Sequence, residues 1–165
     1  MKTKYALLLL SGLFICMVVN SCKKDNQTAI KTLFTGGQWQ LASVITTYWT
    51  GNQADSTVAL DTACTMIQLF TFNADNTCTY TNFDCITQTP PAAQWALSQN
   101  QLFLTANVVC KDTTAAHSSM PFANAGIVNL GQFSLVLNTG DIQPNYSLTK
   151  KRKTTQYGFV RIKSQ

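Results

Sequence analysis

Residues 64 to 85, CTMIQLFTFNADNTCTYTNFDC, contain two stretches in which apolar and polar side chains alternate. Alternation with a period of two separates the side chains onto the two faces of a β-strand. The stretches are joined by NADN, residues 73 to 76, whose polar side chains favour turns by hydrogen bonding to the backbone. This segment therefore predicts a β-hairpin in which Phe72 faces Thr77 and Phe70 faces Thr79.

The rest of the chain has a composition typical of β proteins. It contains no glutamate, and its many threonines recur beside valine, isoleucine and aromatic residues. Branched and aromatic side chains suit a pleated, half-buried surface. A long alternating stretch, residues 37 to 49, predicts a strand with Trp39, Leu41, Ser43 and Ile45 on one face. We predict an all-β fold.

Shorter elements follow from the same patterns. Strands are predicted at residues 94–98, 101–109, 126–130, 132–138, 145–150 and 156–162. Their spacing of roughly ten residues suits an antiparallel barrel or sandwich. Residues 28–35 predict a short helix that Thr28 caps and Gly36-Gly37 ends. Residues 51–63 predict a loop.

The first 21 residues have the layout of an export signal. Lys2 and Lys4 precede a mostly apolar stretch from Tyr5 to Val19. This stretch is short for a membrane span, because a helix needs about 20 apolar residues to cross a bilayer. We expect residues 1–21 to be a signal peptide that is removed.

The residues around Cys22 indicate how the signal is processed. Val19-Asn20-Ser21-Cys22 resembles the lipobox of bacterial lipoproteins, in which the chain is cut before a cysteine that then carries acyl chains. Each buried methylene of such a chain contributes about 0.8 kcal/mol of membrane affinity. The resemblance implies that Cys22 is lipidated and that residues 22–27 form a tether. The alternative is an ordinary secretory signal, which would leave Cys22 as an unpaired thiol.

The same resemblance implies a location. It places the domain of residues 28–165 in the cell envelope, attached to the membrane by its lipid. The outer membrane is favoured because lysine rather than aspartate follows Cys22. The membrane face, periplasmic or external, stays open.

Four further cysteines would remain in the mature domain, namely Cys64, Cys78, Cys85 and Cys110. Outside the reducing cytosol, four cysteines predict two disulfides. The hairpin register given above places Cys64 opposite Cys85, at a Cβ separation of about 4.5–5.5 Å. We therefore predict the pairs Cys64–Cys85 and Cys78–Cys110, although a slip of one residue would exchange the faces.

The order of motifs resembles that of the lipocalin-like lipoproteins of Gram-negative bacteria. The motifs are the lipidated cysteine, the short helix, Gly37-Gln38-Trp39, the hairpin at 72–76, Trp95-Ala96-Leu97-Ser98 and Leu102-Phe103-Leu104. The resemblance spans residues 28–165 and implies an antiparallel up-and-down β-barrel of about eight strands. It also implies that Trp39 closes one barrel end under an arginine, either Arg152 or Arg161.

An eight-stranded barrel is either filled by its own side chains or holds one small ligand. Both interpretations are open for this chain. The residues expected to face inward, and to contact a small hydrophobic ligand if there is a cavity, are Trp39, Leu41, Phe70, Phe72, Trp95, Leu97, Phe133 and Leu135.

Several chemistries are not supported by the residues. His117 is the single histidine, so neither a hydrolytic triad nor a histidine pair for zinc is indicated. Carboxylate pairs for glycoside hydrolysis would have to come from aspartates in predicted loops, such as Asp55 and Asp61. Asp75 is explained by the hairpin turn. We expect no metal, no cofactor and no catalysis.

Charge excludes one class of partner. The formal net charge of +5 falls by two when Lys2 and Lys4 leave, which is too small and too scattered for nucleic-acid binding. Lys150-Lys151-Arg152-Lys153 is a run of cations, predicted to be either a solvated turn or a contact with anionic head groups.

Three aspartate-hydroxyl motifs resemble sites that some of these bacteria O-glycosylate. They begin at Asp55, Asp61 and Asp112 and would make Ser56, Thr62 and Thr113 the acceptors. All three fall in predicted loops, where a bulky glycan can be accommodated.

The expected function is that of a lipid-anchored, non-catalytic envelope protein that binds a small hydrophobic ligand in its barrel. The alternative is a filled barrel that acts as an accessory module of a surface complex, with a protein partner. An enzyme is the third reading, and it would require His117 to meet an aspartate and a hydroxyl in a cleft.

Overall fold

The main sheet of this protein closes on itself. The computed structural model describes residues 28–60, 63–89, 92–111 and 118–162, of which residues 28–35 are α-helical. The strands are β1 Gln38–Thr50, β2 Gln53–Leu60, β3 Leu69–Phe72, β4 Thr77–Thr81, β5 Ala93–Leu97, β6 Phe103–Ala106, β7 Cys110–Lys111, β8 Ser118–Ser119, β9 Ala125–Leu130, β10 Ser134–Gly140 and β11 Lys151–Ile162. A 3₁₀ turn, Phe83–Cys85, follows β4.

Eight of these strands form an antiparallel barrel in the order β1-β3-β4-β5-β6-β9-β10-β11. The barrel closes where β1 pairs with β11 along its length, from Gln38 opposite Ile162 to Thr50 opposite Lys151. Each barrel strand is hydrogen-bonded to the next barrel strand in the chain, so the connectivity is up-and-down. The predicted all-β, lipocalin-like barrel with a short N-terminal helix is confirmed.

A bulge in β1 changes which side chains face the core. The register with β11 shifts between Leu41 and Ser43. Beyond the bulge Val44 and Thr46 are buried, whereas Ser43 is exposed. The prediction that Trp39, Leu41, Ser43 and Ile45 share one face is therefore wrong, because one extra residue inverts the alternation.

The β3–β4 hairpin forms as predicted, but in a different register. Phe72 lies opposite Cys78 rather than Thr77. Asn76 adopts a left-handed conformation with φ 67°, and the backbone N–H of Asn73 donates to the carbonyl of Thr77 at 2.8 Å. A three-residue loop with a left-handed last residue accounts for the shift. It directs Cys78 and Tyr80 into the core.

Residues 53–60 form a strand, β2, where a loop was predicted. β2 pairs with the second half of β1, from Gln53 opposite Thr50 to Leu60 opposite Val44. The connection turns at Gly51, which has φ 57° and sits where a Cβ would collide with the Leu148 carbonyl. A glycine is needed at this position.

Residues 145–150 are irregular, with a turn at 148–149, where a strand was predicted. Pro144, just before this segment, has no backbone N–H to donate to a neighbouring strand. Within the segment, the N–H of Lys150 donates to the carbonyl of Ser147 at 3.0 Å and closes a turn. Lys151 then begins β11, so the cationic run lies at the start of a barrel strand instead of in a turn.

The barrel wall is uneven in height. β2 and β3 both pair with β1, and the described residues between them, 63–68, belong to no strand. β4, the neighbour of β3, ends at Thr81, where Asn82 takes a left-handed conformation and the 3₁₀ turn begins. As a result, β3 and β4 do not run alongside β2, and β2 is the last strand of the sheet.

Candidate functional site

The interior of the barrel is occupied by aromatic rings. Phe70 is central, with ring centroids 4.1 Å from Phe72, 4.9 Å from Phe122 and 5.2 Å from Tyr80. Tyr80 stacks on Phe122 at 5.5 Å, and all four side chains are buried. Tilted and edge contacts of this kind stabilise a core beyond simple burial, by about 0.5–1.5 kcal/mol per pair.

Most of the residues predicted to face inward belong to this core. Trp39, Phe70, Phe72, Trp95 and Leu135 are buried, and Leu41 and Leu97 are half-buried.

Phe133 is a correction, because its side chain is 60% exposed. It lies in the turn before β10, closed by the Gly131 N–H donating to the Ser134 carbonyl at 2.8 Å. The inward alternation starts only after that turn, with Leu135.

Arg161 closes the helix end of the barrel. Its guanidinium carbon lies 4.5 Å from the ring centroid of Trp39, and its Nη2 donates to the Leu33 carbonyl. The Trp39 Nε1–H donates to the Phe34 carbonyl at 2.9 Å. Burial lowers the pKa of Arg161 from its usual range. Of the two arginines left open by the sequence, Arg161 is the one that lies on Trp39.

Arg152 makes a similar arrangement at the opposite end of β1 and β11. Its guanidinium carbon is 5.5 Å from the Trp49 ring centroid and 3.6 Å from that of Tyr146. Its Nη2 donates to the Gly51 carbonyl at 2.8 Å. The neighbouring Lys150, Lys151 and Lys153 are exposed, so this run combines one structural arginine with three solvent-facing lysines.

One of the two predicted disulfides is present. Cys64 and Cys85 are bonded, with Cα atoms 5.7 Å apart. The prediction named the right pair although its register was off by one residue. The ladder ends at Leu69 opposite Thr81, and the 3₁₀ turn, rather than continued strand pairing, brings Cys85 to Cys64.

Cys78 and Cys110 are separate buried thiols, so the predicted second disulfide is wrong for this structure. The number of cysteines alone does not determine which of them are bonded. Burial raises the pKa of Cys78 to about 11. Burial, then the charges of Asp84 and Cys78, raise the pKa of Cys110 to about 12. Both thiols are neutral at physiological pH and are therefore poor nucleophiles.

A groove opens where β2 and β3 separate along β1. We call it the fork groove; it has a volume of about 370 Å³. Its lining is mixed: the larger apolar side chains are Leu41, Val44, Ile45, Leu60, Met66 and Ile67, and the polar side chains are Gln40, Ser43, Thr65 and Gln68. Among the predicted ligand residues Leu41 reaches this groove, while Trp95 and Leu97 line a smaller surface cavity of about 210 Å³ beside Lys31.

Neither β2 nor the fork groove was predicted from the sequence. Residues 53–60 show no regular alternation of apolar and polar side chains, and Thr57 and Val58 are their only β-branched residues. These two residues are a weak strand signal, and no sequence signal marks the groove, because the groove depends on where two strands separate.

Several predicted site residues lie outside the described residues. These are the signal peptide 1–21, Cys22 with the tether 22–27, Asp61, Thr62, Thr113 and His117. Of the three candidate glycosylation sites, Ser56 is described and is exposed on β2.

Within the described part of the chain, no histidine, cysteine and acidic side chains are grouped so that three or more could share a metal ion. The described residues also contain no helix long and apolar enough to span a membrane. No protein-family model matches this chain, and comparison with curated proteins finds no match either.

Proposed function

We propose that this protein is a lipid-anchored lipoprotein of the bacterial cell envelope, similar to the lipocalin-like lipoproteins, whose filled barrel acts as a non-catalytic interaction module. The outer membrane is its proposed location and Cys22 its proposed lipid attachment site. Partners would then be contacted by the outer surface of the barrel rather than by its interior.

The observation that carries this proposal is the occupation of the barrel by its own side chains. Phe72, Tyr80 and Phe122 are buried and each contacts the ring of Phe70, so aromatic side chains occupy the space that a ligand-binding barrel needs to leave free. The neutral state of the Cys78 and Cys110 thiols further supports a non-catalytic role.

The absence of an interior ligand can be tested on natively produced protein. The purified protein is denatured, and the released small molecules are measured by mass spectrometry. We expect no hydrophobic compound in a stoichiometric amount. A stoichiometric apolar compound would overturn the filled-barrel proposal and favour ligand binding instead.

The lipid anchor is tested by metabolic labelling with palmitate. We expect the label to enter the wild-type protein and to be lost in Cys22→Ser, with the variant moving from the detergent phase to the aqueous phase. Cys110→Ala is the matched control, because its thiol is buried in the hydrophobic core and its loss should leave labelling unchanged. Unlabelled wild-type protein would refute the anchor.

A further inference from the structure

Three exposed lysines at one end of the barrel, Lys150, Lys151 and Lys153, form no ion pair with any described residue. The two described carboxylates at this end are hydrogen-bonded to other groups. Asp55 accepts from a threonine hydroxyl at 2.7 Å, and Asp141 accepts from the backbone N–H of Lys153 at 3.0 Å. The three ammonium groups are therefore available to an anionic partner.

Arg152 fixes the positions of these lysines. Its guanidinium carbon lies 3.6 Å and 5.5 Å from the centroids of two aromatic rings, and the group donates to two backbone carbonyls. Because side chains alternate along a strand, Lys151 and Lys153 share the face opposite Arg152. On that face the Nζ of Lys153 lies 5.9 Å from the ring centroid of Tyr48, which is 42% exposed.

An exposed leucine stands beside these cations. Leu148, in the turn before β11, is 71% exposed, the highest value among the large apolar side chains of the described residues. The N–H of Lys150 closes that turn, so the leucine and the first lysine lie close together. Surfaces that enter the interface of a bilayer combine an apolar side chain with lysines and with tyrosine at the level of the head groups.

We call Tyr48, Leu148, Lys150, Lys151 and Lys153 the cationic tip. We propose that the cationic tip contacts the head groups of an anionic bilayer, with Leu148 entering the interface and the three lysines lying near lipid phosphates. Each lysine near such a surface strengthens binding about fivefold. This inference rests on the lipid anchor of the proposed function, which brings a bilayer within reach.

The length of β1 determines how the anchored domain lies. The cationic tip is at the Thr50 end of β1, and the helix that follows the tether is at the Gln38 end. A strand rises about 3.3 Å per residue, so these two ends are about 40 Å apart. The tether of residues 22–27 spans at most about 20 Å. The tip therefore reaches the bilayer that holds the anchor when the barrel lies along it rather than standing upright.

A soluble acidic polypeptide fits the cationic tip less well than a bilayer does. It would have to bind through three lysines and a small apolar surface alone, whereas specific protein interfaces bury about 800 Å² on each partner. A bilayer that already holds the anchor is present at high effective concentration, so weak contacts are sufficient.

The accessibility of a thiol introduced at the tip tests the proposal. Natively produced, lipidated protein carrying Thr149→Cys is reconstituted into vesicles of phosphatidylcholine, either alone or with about one third phosphatidylglycerol. Alkylation by an uncharged polyethylene glycol maleimide is then followed over time. The cysteines of the domain do not interfere, because Cys64 and Cys85 are bonded to each other and Cys78 and Cys110 are buried.

Two matched controls accompany this measurement. Thr105→Cys is the control for position, because Thr105 is exposed like Thr149 but lies on β6, across the barrel from the seam of β1 and β11. Lys111→Gln is the control for charge in Lys151→Gln, because Lys111 is exposed but lies on β7, outside the barrel sheet. Thermal unfolding of each variant checks that these exposed substitutions leave the fold intact.

We expect anionic vesicles to slow alkylation of Thr149→Cys by about fivefold or more relative to neutral vesicles, and to leave Thr105→Cys unchanged. Adding Leu148→Ser, or replacing all three lysines with glutamine, should restore the rate seen on neutral vesicles. Lys151→Gln should restore part of that rate and Lys111→Gln none of it. Salt at about 0.5 M should act like the loss of the lysines, because it screens their charge.

Two results would overturn the bilayer contact, namely equal rates on the two kinds of vesicle and a slowing that Leu148→Ser leaves unchanged. Equal slowing by soluble polyglutamate without vesicles would also overturn it and would assign the tip to an acidic polypeptide.

Flotation of the protein with vesicles separates these failures from a failure of the anchor. Protein that floats with both kinds of vesicle but shows equal rates keeps the anchor and refutes the tip. Protein that floats with anionic vesicles alone keeps the tip contact and refutes the anchor. Protein that floats with neither refutes both.

Discussion

Burial changes the pKa values of two cysteine thiols, those of Cys78 and Cys110. Both thiols are fully buried, and burial raises both pKa values above the ordinary value of 9.0, to about 11 for Cys78 and about 12 for Cys110. Burial also raises the pKa of the neighbouring Tyr157 hydroxyl. The folded protein therefore keeps protons that the unfolded chain releases in mildly alkaline solution.

We predict that alkaline pH destabilises the protein through these two thiols. Above pH 9 the unfolded state binds fewer protons than the folded state, so the free energy of unfolding falls as pH rises. The slope is about 1.4 kcal/mol per pH unit for each thiol, up to about pH 11 for Cys78 and about pH 12 for Cys110. Urea unfolding at several pH values measures this slope.

The control is the double variant Cys78→Ala, Cys110→Ala. Its stability should change little between pH 9 and 10, with a slope appearing only above that range because Tyr157 still titrates. A flat profile in the wild-type protein would contradict the prediction. It would also point to a bond between the two sulfurs.

At the scale of elements, the β3–β4 hairpin owes its register to one residue. The backbone N–H of Asn76 donates to the Asn73 carbonyl at 3.1 Å, and Asp75 Oδ1 accepts from the Thr77 N–H at 2.9 Å. These bonds hold a three-residue loop in place of the four-residue loop predicted from composition. The left-handed φ of Asn76 makes that loop accessible, because asparagine tolerates this region better than most residues.

We predict different effects for two substitutions at Asn76. Asn76→Gly should change the free energy of unfolding by less than about 0.5 kcal/mol, since glycine adopts positive φ readily. Asn76→Val should reduce it by about 1–2 kcal/mol, because a branched residue is strained there. Chemical denaturation compares the two; equal stabilities would show that φ at this position does not control the hairpin.

β2 illustrates a limit of pattern analysis at the same scale. Both faces of the strand are exposed, so the burial that normally accompanies a period-two pattern is missing. Its formation depends on the turn at Gly51 and on pairing with β1.

Across the whole molecule, the Cys64–Cys85 disulfide joins two places where the chain leaves the sheet. Cys64 lies in the excursion between β2 and β3, and Cys85 ends the 3₁₀ turn after β4. The bond therefore links the segment before β3 to the segment after β4. It also fixes one side of the fork groove, which Cys64 lines.

Removing this disulfide should lower the stability of the whole barrel. The two cysteines are 21 residues apart, and closing a loop of that size in the unfolded chain contributes about 3 kcal/mol. We predict a loss of that order in the Cys64→Ser, Cys85→Ser double variant, measured by urea unfolding without reductant. A loss below about 1 kcal/mol would mean that the bond does not constrain the unfolded state.

Local patterns in the sequence were sufficient to predict the all-β class, the short helix at residues 28–35 and the β3–β4 hairpin. These features depend on local periodicity and on turn-forming residues, which act over a few neighbours. The three-dimensional packing was needed to show that Arg161 rather than Arg152 lies on Trp39 and that the 3₁₀ turn brings Cys85 to Cys64. It was also needed to show that Cys78 and Cys110 are free thiols and that β2 is the last strand of the sheet beside a groove. Such features depend on the bulge in β1, the loop at Asn76 and the end of β4 at Thr81, because each of these shifts which residues meet across the barrel.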